Sequence, residues 1–245
     1  MTDYFKGPLL GLDIESSGID SFEDRIVTYS MVFSPGPDQE PQILEWLINP
    51  EVEIPQGATD VHGISTQHAR DFGLPARDAI LDIYNRLEPI VDLGIPIVIY
   101  NAPFDTTMTL AEFYRHGIKM KYTPEEMFAK VIDPLVIDKA VDKYRKGSRK
   151  LTDTAKLYGY DLTNAHESTA DVLATLHITR QLGKWFKPEM TIEILQEFQK
   201  DAKLEQATSL EKYLRSTPDE DGNDRSDLVL NKEWPFQTTK EEHAN

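Results

Sequence analysis

Residues 95–100 (IPIVIY) form a short run that is apolar from end to end. A strand with one solvated face alternates apolar and polar residues, whereas a run without polar positions is typical of a strand buried on both faces. Helices are predicted on either side of it, over residues 77–91 from the spacing of apolar side chains and over residues 106–114 before Gly117. The run therefore predicts an interior strand of a sheet that is flanked by helices.

The other segments extend this strand into an α/β domain. Further strands, rich in β-branched and aromatic residues, are predicted over residues 8–14, 25–33, 42–48 and 131–133. Further helices are predicted over residues 135–144, 151–158 and 168–182. The first three strands indicate an antiparallel meander, and residues 49–65, with two prolines and two glycines, are expected to be irregular. The predicted fold class is α/β with a mixed sheet flanked by helices.

The C-terminal quarter of the chain has a different composition. An amphipathic helix or helix pair rich in Glu and Lys is predicted over about residues 188–214, which makes residues 183–216 a helical C-terminal extension. Residues 217–245 contain eight acids against three bases and show little periodicity. This acidic tail is expected to be either disordered or draped on the core, with Trp234-Pro235-Phe236 as a candidate anchor.

Composition limits the class of protein and its location. The chain has no cysteine, which excludes disulfides and thiolate metal sites, and no apolar run approaches the roughly 18 residues that a membrane helix needs. A cytoplasmic protein that does not bind membranes is expected, and its oligomeric state is open. The net charge of −16 argues against a polyanionic partner only if the charge is spread evenly. Carboxylates that bind divalent cations would add negative charge and still form a site that attracts phosphate.

Five titratable residues lie at the ends of predicted strands or at the start of a predicted helix. Asp13 and Glu15 are two residues apart at the end of a predicted strand, so both side chains lie on one face. Asp105 follows the apolar strand 95–100, and His166 and Asp171 open a predicted helix. Each also has an ordinary interpretation. The Asp13–Glu15 pair could be a solvated strand end, Asp105 a helix N-cap, and His166 an exposed surface histidine.

The five residues together indicate one chemistry. Four converging carboxylates repel one another, and some would stay protonated unless cations neutralise them. Two Mg²⁺ or Mn²⁺ ions about 3.5–4 Å apart would do so, because hard cations prefer oxygen ligands. Histidine titrates near neutrality and is a natural base for removing the proton of an attacking water. The set predicts phosphodiester hydrolysis by in-line displacement.

Three strings resemble, in order, the exonuclease motifs of one family: LDIESSG at residues 12–18, NAPFD at 101–105 and HESTAD at 166–171. They are similar to those of the DEDDh (DnaQ-like) 3′–5′ exonucleases, a family of the ribonuclease H-like superfamily that includes the epsilon proofreading subunit of bacterial DNA polymerase III. The segment at residues 48–65, with its H-G-I element, resembles the same family. The resemblance implies an exonuclease domain over residues 7–182 with a ribonuclease H-like fold.

The resemblance also implies a role for each matching residue. The metal ligands would be Asp13, Glu15, Asp105 and Asp171, and the general base would be His166. The implied substrate contacts, around the 3′-terminal nucleotide, are Ser16, Ser17, Gly18, His62 and Ile64, with Asn101 and Phe104 near the same pocket. The family usually has Thr-Thr-Gly where this chain has Ser16-Ser17-Gly18, so the hydroxyls remain but the methyl groups are lost.

A cluster of cations precedes the third motif. Residues 143–150 contain five of them in a chain dominated by acids: Lys143, Arg145, Lys146, Arg149 and Lys150. One interpretation is that this segment, Lys146 and Arg149 in particular, binds phosphates of the nucleic acid backbone. The alternative is a solvated loop between two helices.

The leading hypothesis is a metal-dependent 3′–5′ exonuclease that releases nucleoside 5′-monophosphates from single-stranded or frayed DNA. Its role would be of the proofreading or repair type, with a DNA polymerase as a candidate partner. One alternative is an exoribonuclease that trims RNA 3′ ends, since recognition of the 2′-OH cannot be located in the sequence. Another is a non-catalytic module that binds nucleic acid ends or a polymerase, which the presence of all five residues disfavours.

Overall fold

A mixed sheet forms the centre of the protein. The computed structural model describes residues 4–162, 168–187, 189–219 and 222–238. Within these residues the sheet has six strands in the order β4-β3-β2-β1-β5-β6. The strands are β1 (Leu9–Ser16), β2 (Ile26–Ser34), β3 (Gln42–Asn49), β4 (Leu74–Pro75), β5 (Ile97–Val98) and β6 (Val131–Ile132). β1, β2 and β3 pair antiparallel, whereas β4, β5 and β6 pair parallel with their neighbours.

Helices flank this sheet, which confirms the predicted α/β fold class. The helices of the described part are α1 (Gln56–His62), α2 (Thr66–Phe72), α3 (Ala76–Asp92), α4 (Ala102–Arg115), α5 (Pro124–Met127), α6 (Pro134–Val141), α7 (Leu151–Leu157), α8 (Ser168–Leu182) and α9 (Ile192–Arg215), with a 3₁₀ turn at Gly183–Trp185. No helix among the described residues combines the length and apolarity needed to cross a membrane.

The structure differs from the sequence prediction in several places. The prediction of an irregular segment over residues 49–65 was wrong for α1, a short helix that has no buried residue and hence no apolar periodicity to reveal it. The apolar run 95–100 contributes only Ile97 and Val98 to strand pairing. Helix α4 begins at Ala102, four residues before the predicted start at residue 106.

Side chains of β1 alternate between two cores, one on each face of the sheet. Leu10, Leu12 and Ile14 pack into one apolar cluster with residues of α3 and α4. Leu9, on the opposite face, packs in a second cluster that includes Val172 of α8. Because successive side chains of a strand point to opposite faces, Asp13 and Glu15 share the face of Leu9 and Gly11.

Gly11 lets α8 lie close to this face. A Cβ atom at Gly11 would stand 2.4 Å from Cγ1 of Val172 and 2.9 Å from Cγ of Leu176. Both contacts are with branched carbons of a packed helix, so any larger residue would push α8 away from β1. The glycine thereby sets the distance between β1 and the helix that carries Asp171.

The C-terminal segment of residues 222–238 returns to the core. Trp234 is buried in the same apolar cluster as α3 and α4, and Phe236 packs against that cluster. The ring of Phe236 lies 6.3 Å from that of Phe128, measured between centroids. Trp234-Pro235-Phe236 therefore anchors the described part of the segment.

Candidate active site

Three carboxylates meet where β1 runs alongside the start of α8. One oxygen from each of Asp13, Glu15 and Asp171 lies within 4.8 Å of the others. Asp13 and Glu15 reach this point because two residues of strand bring the side chain back to the same face. Asp171 reaches it because it stands in the first turn of α8, next to the Val172 that packs over Gly11.

Hydroxyl pairs fix the first turn of α8 on the sheet beside these carboxylates. The Thr28 and Ser168 hydroxyls are 2.9 Å apart, and those of Ser30 and Thr169 are 2.7 Å apart. Thr28 is the cross-strand neighbour of Glu15, and Ser30 is that of Asp13. Since α8 is tied to β2 at two consecutive residues, its rotation is fixed and Asp171 is directed at β1.

Asp105 approaches the same carboxylates from the other core. It lies in the first turn of α4, is 5% exposed, and its Oδ1 accepts a hydrogen bond of 3.2 Å from the backbone N–H of Ile14. The N-cap of α4 is Asn101, so Asp105 is not the cap that the sequence left open as an alternative. Its position near the positive end of the helix dipole favours the charged carboxylate.

A buried carboxylate that the sequence reasoning missed holds the start of α4. Asp133 is fully buried, and its oxygens accept from the N–H groups of Asn101 at 3.1 Å and Ala102 at 2.9 Å. The same side chain caps α6 through the N–H of Leu135. The string Asp133-Pro134 is a typical helix start and could have revealed the cap of α6, but the contact with α4 is non-local.

Burial and mutual repulsion raise the pKa of three of these carboxylates, Asp13, Glu15 and Asp105. Burial, and then the charges of Asp105, Glu15 and Asp171, raise the pKa of Asp13 well above its usual range. Burial and the charge of Asp171 raise the pKa of Glu15 to about 7. Burial also raises the pKa of Asp105, with Asp133 and Glu15 contributing. Oxygen donors that repel one another suit hard divalent cations such as Mg²⁺ or Mn²⁺, so the residues present fit such ions.

The raised pKa of Glu15 predicts how stability depends on pH. Its folded-state value of about 7 exceeds the ordinary 4.5, so the folded protein binds more protons in this interval and loses stability as pH rises through it. We expect the Tm of the protein in EDTA to fall between about pH 5 and pH 8, and Mg²⁺ to restore more of it at the higher pH. The measurement is thermal unfolding across this range.

Glu15→Gln is the matched variant for this prediction. It removes the titrating group but keeps its shape, so the fall in Tm with pH should become shallower. An equally steep fall in the variant would show that other groups cause the pH dependence.

His166 lies outside the described residues, which omit 163–167. It stands two positions before the first residue of α8 and five before Asp171 in the sequence. Its role as general base therefore stays a prediction, and the structure assigns positions only to the four carboxylates.

A cavity of about 340 Å³ opens beside Glu15. Its lining includes two predicted substrate contacts, His62 and Ile64, together with Thr28 and Ser168. The Nδ1 atom of His62 accepts from the N–H of Ile64 at 3.2 Å, and burial lowers the pKa of His62. A neutral histidine and an apolar side chain beside the carboxylates form a surface that suits a nucleotide base or sugar.

The other predicted substrate contacts have different surroundings. Ser17 is buried, and its hydroxyl joins the side chain of Asp24 to the N–H of Arg25, which shapes the loop after β1. Ser16 donates to the carbonyl of Gly18 within that loop. Asn101 and Phe104 flank the start of α4 near Asp105 and do not line the cavity beside Glu15. Their roles in binding substrate stay predictions.

Several cations of the basic segment 143–150 form ion pairs with acidic residues of the protein itself. The guanidinium groups of Arg145 and Arg149 both bind the fully buried carboxylate of Asp138. Lys143 pairs with Glu205, whereas the side chain of Lys146 is exposed. The geometry therefore favours a structural role for Arg149 over the predicted phosphate contact, and Lys146 stays a candidate contact.

A mixed sheet that carries four converging acids at these positions is typical of the ribonuclease H-like, DEDD class of nucleases. The sequence model of the RNase T exonuclease family, described as exonuclease, matches residues 10–179, and the chain belongs to this family. The predicted resemblance to DEDD 3′–5′ exonucleases is thereby confirmed at the level of the family. No curated protein sequence gives a significant match.

Solved structures of exonuclease I share the fold. One exonuclease I is 22% identical over 74% of this chain and 43% of its own, with a TM-score of 0.59. Exonuclease I of E. coli in complex with a dT13 oligonucleotide is 24% identical over 71% of this chain and 40% of its own, with a TM-score of 0.58. A zinc-bound E. coli exonuclease I–ssDNA complex gives 23% identity and a TM-score of 0.60. This chain spans about two fifths of the exonuclease I chains.

Proposed function

We propose that this protein is a metal-dependent 3′–5′ exonuclease that shortens single-stranded or frayed DNA and releases nucleoside 5′-monophosphates. The observation that carries the proposal is the cluster of Asp13, Glu15 and Asp171, whose oxygens lie within 4.8 Å of one another, with Asp105 against the same strand. Carboxylates that are at least partly buried and repel one another destabilise the protein unless cations bind them, so cation binding, and not folding, explains why they lie together. Family membership and the oligonucleotides bound to exonuclease I support the choice of substrate.

The residues of the candidate site would have different roles in the reaction. Asp13, Glu15, Asp105 and Asp171 would hold two divalent cations, which supply charge neutralisation at the phosphate and lower the pKa of a water molecule. His166 would accept the proton of that water. The cavity with His62 and Ile64 would seat the terminal nucleotide, which aligns the last phosphodiester with the carboxylates.

The test is degradation of a 5′-labelled single-stranded DNA by the purified protein in Mg²⁺, in Mn²⁺ and in EDTA. We expect a ladder that shortens from the 3′ end with either cation and no cleavage in EDTA. Nucleoside 5′-monophosphate should be the product. A matched RNA of the same sequence shows whether the 2′-OH is accepted, and faster cleavage of RNA would replace DNA as the proposed substrate. Failure to degrade either polymer with either cation would leave a non-catalytic binding module as the explanation.

The finer features that the resemblance implies stay predictions. They are the DEDDh subtype, which depends on His166, the proofreading or repair role, a polymerase partner and the cytoplasmic location. The choice between Mg²⁺ and Mn²⁺ also stays open, because oxygen ligands accept both ions.

Lys146 is expected to contribute to binding of the nucleic acid backbone. Lys146→Ala should weaken DNA binding and reduce the slope of log K against log salt by about 1, because one phosphate contact is lost. Lys119→Ala, an exposed lysine beyond the far end of α4, is the matched control and should leave the slope unchanged. Binding is measured by fluorescence anisotropy in EDTA at several salt concentrations. An unchanged slope in Lys146→Ala would exclude the contact.

A further inference from the structure

Residues beyond the region that the family model matches hold the helix of Asp105 in two places. The match ends at residue 179, whereas α9 and the segment 222–238 follow it. We call the contacts of these two elements that reach the start of α4, directly or through Asp133, the C-terminal brace. They involve Gln199 of α9 and residues 235–237 of the segment.

The first arm of the brace acts through Asp133. Gln199 is fully buried, and its Oε1 accepts from the N–H of Asp133 at 2.7 Å while its Nε2 donates to the carbonyl of Val131. Asp133 in turn binds the first N–H groups of α4, at Asn101 and Ala102. A buried amide that satisfies both its donor and its acceptor in this way fixes the backbone at Val131 and Asp133, and hence the point from which the Asp133 side chain reaches α4.

The second arm contacts the residues that directly follow Asp105. The hydroxyl of Thr106 is 2.6 Å from the carbonyl oxygen of Pro235. The hydroxyl of Thr107 donates to the carbonyl of Pro103 and accepts a bond of 2.8 Å from the N–H of Gln237. Both threonines are buried, so these bonds do not compete with water. The anchor of Trp234 and Phe236 holds the segment in place.

We propose that the C-terminal brace positions Asp105 for metal binding, with Thr107 and Gln199 as positioning residues that act through α4. The inference rests on the proposed function, because it assumes that Asp105 is a metal ligand. The charges of Asp13 and Glu15 repel the carboxylate of Asp105, and the hydrogen bonds of the brace oppose a shift of α4 away from β1. Groups that orient a ligand commonly change metal affinity by about 10–100-fold.

The test compares full-length Thr107→Val with Thr107→Ser and Thr179→Val. Thr107→Val removes the acceptor for Gln237, whereas Thr107→Ser retains it. Thr179 is a buried threonine of α8 whose hydroxyl bonds the carbonyl of Thr175, so Thr179→Val is the matched control. The readouts are Mn²⁺ affinity by titration calorimetry without DNA, thermal unfolding, and kcat and KM for DNA.

The brace predicts a specific pattern of results. Thr107→Val should bind Mn²⁺ about 10-fold more weakly and lose kcat without a change in KM for DNA, and Thr107→Ser should restore both. Thr179→Val should lose thermal stability alone. A loss of stability in Thr107→Val with wild-type Mn²⁺ affinity would overturn the proposal.

Two further experiments distinguish failure of this inference from misfolding of a variant and from failure of the proposed function. If Thr107→Val does not fold, Phe236→Ala, which loosens the anchor at a partly exposed position, should show the same weakening of Mn²⁺ affinity. Wild-type affinity in Phe236→Ala would then overturn the brace. If wild-type protein binds Mn²⁺ but degrades no nucleic acid, the proposed function fails, while the affinity comparison still decides the inference.

Discussion

Asp13→Asn is expected to abolish exonuclease activity and to raise the thermal stability of the metal-free protein. Asp13 is the carboxylate whose pKa is raised by the charges of all three others, Asp105, Glu15 and Asp171. The amide keeps the volume but removes a buried negative charge, which relieves that repulsion. The same change removes one of the carboxylate oxygens that would hold the divalent cations. Transition-state stabilisation by metal ions is worth several kcal/mol, which corresponds to on the order of 10³-fold in rate.

The matched control for this prediction is Asp38→Asn. Asp38-Gln39-Glu40 repeats the spacing of Asp13 and Glu15, but Asp38 is exposed in the turn between β2 and β3. The control should keep both wild-type activity and wild-type Tm. Initial rates on single-stranded DNA and thermal unfolding in EDTA at about pH 8 measure the two effects. Full activity in Asp13→Asn would exclude Asp13 as a residue of the active site. A lower Tm in this variant would show that charge repulsion at Asp13 does not destabilise the metal-free protein.

The expected loss of activity and gain in thermal stability in Asp13→Asn have one cause, which also explains why the acidic site could be predicted from the sequence. A buried cluster of like charges costs stability, so it persists only where a ligand offsets the cost. Asp13 and Glu15 were predicted to share a face from their spacing alone, and they do. Asp105 and Asp171 were predicted from their positions after a strand and at the start of a helix, together with motif order. In the structure Asp105 bonds β1 at Ile14, and Asp171 lies beside Asp13 and Glu15.

The parts that the sequence did not reveal depend on contacts between distant residues. In the sequence Gly11 is one residue of an apolar strand. Only the structure shows that Val172 lies where a side chain at position 11 would be. Arg149 reads as one of five solvated cations, yet the buried Asp138 binds it. Local periodicity reports which face of an element is apolar, and it contains no information about which partner covers that face.

The start of α4 illustrates the same limit at the active site. The sequence left Asp105 as either a helix cap or a ligand, because its predicted helix began at residue 106. Asn101 takes a left-handed backbone with φ of 66°, and Asp133 binds the N–H groups at the helix start, so the helix begins earlier. A pattern search cannot find a cap supplied by a residue 32 positions away.

His166→Ala is expected to lower kcat by on the order of 10²–10⁴, the usual contribution of a positioned general base. The four carboxylates would still bind cations, so the variant should retain wild-type Mn²⁺ affinity and wild-type Tm. This separates the histidine from the ligands, whose replacement removes metal affinity and activity together. His116→Ala is the control, since His116 is the C-cap of α4, 11 residues and about 16 Å along the helix from Asp105.

The pH dependence of the rate identifies the role of His166 more sharply than the size of the loss. A histidine that accepts a proton from water makes kcat rise with pH through its own pKa, near 6.5 for an unperturbed side chain. In His166→Ala this rise of kcat, the acidic limb of the pH profile, should be lost. A weaker rise that follows the hydroxide concentration should remain. The measurement is kcat between about pH 5.5 and pH 9 at saturating Mn²⁺ and DNA. Persistence of the limb in the variant would assign the proton to another group.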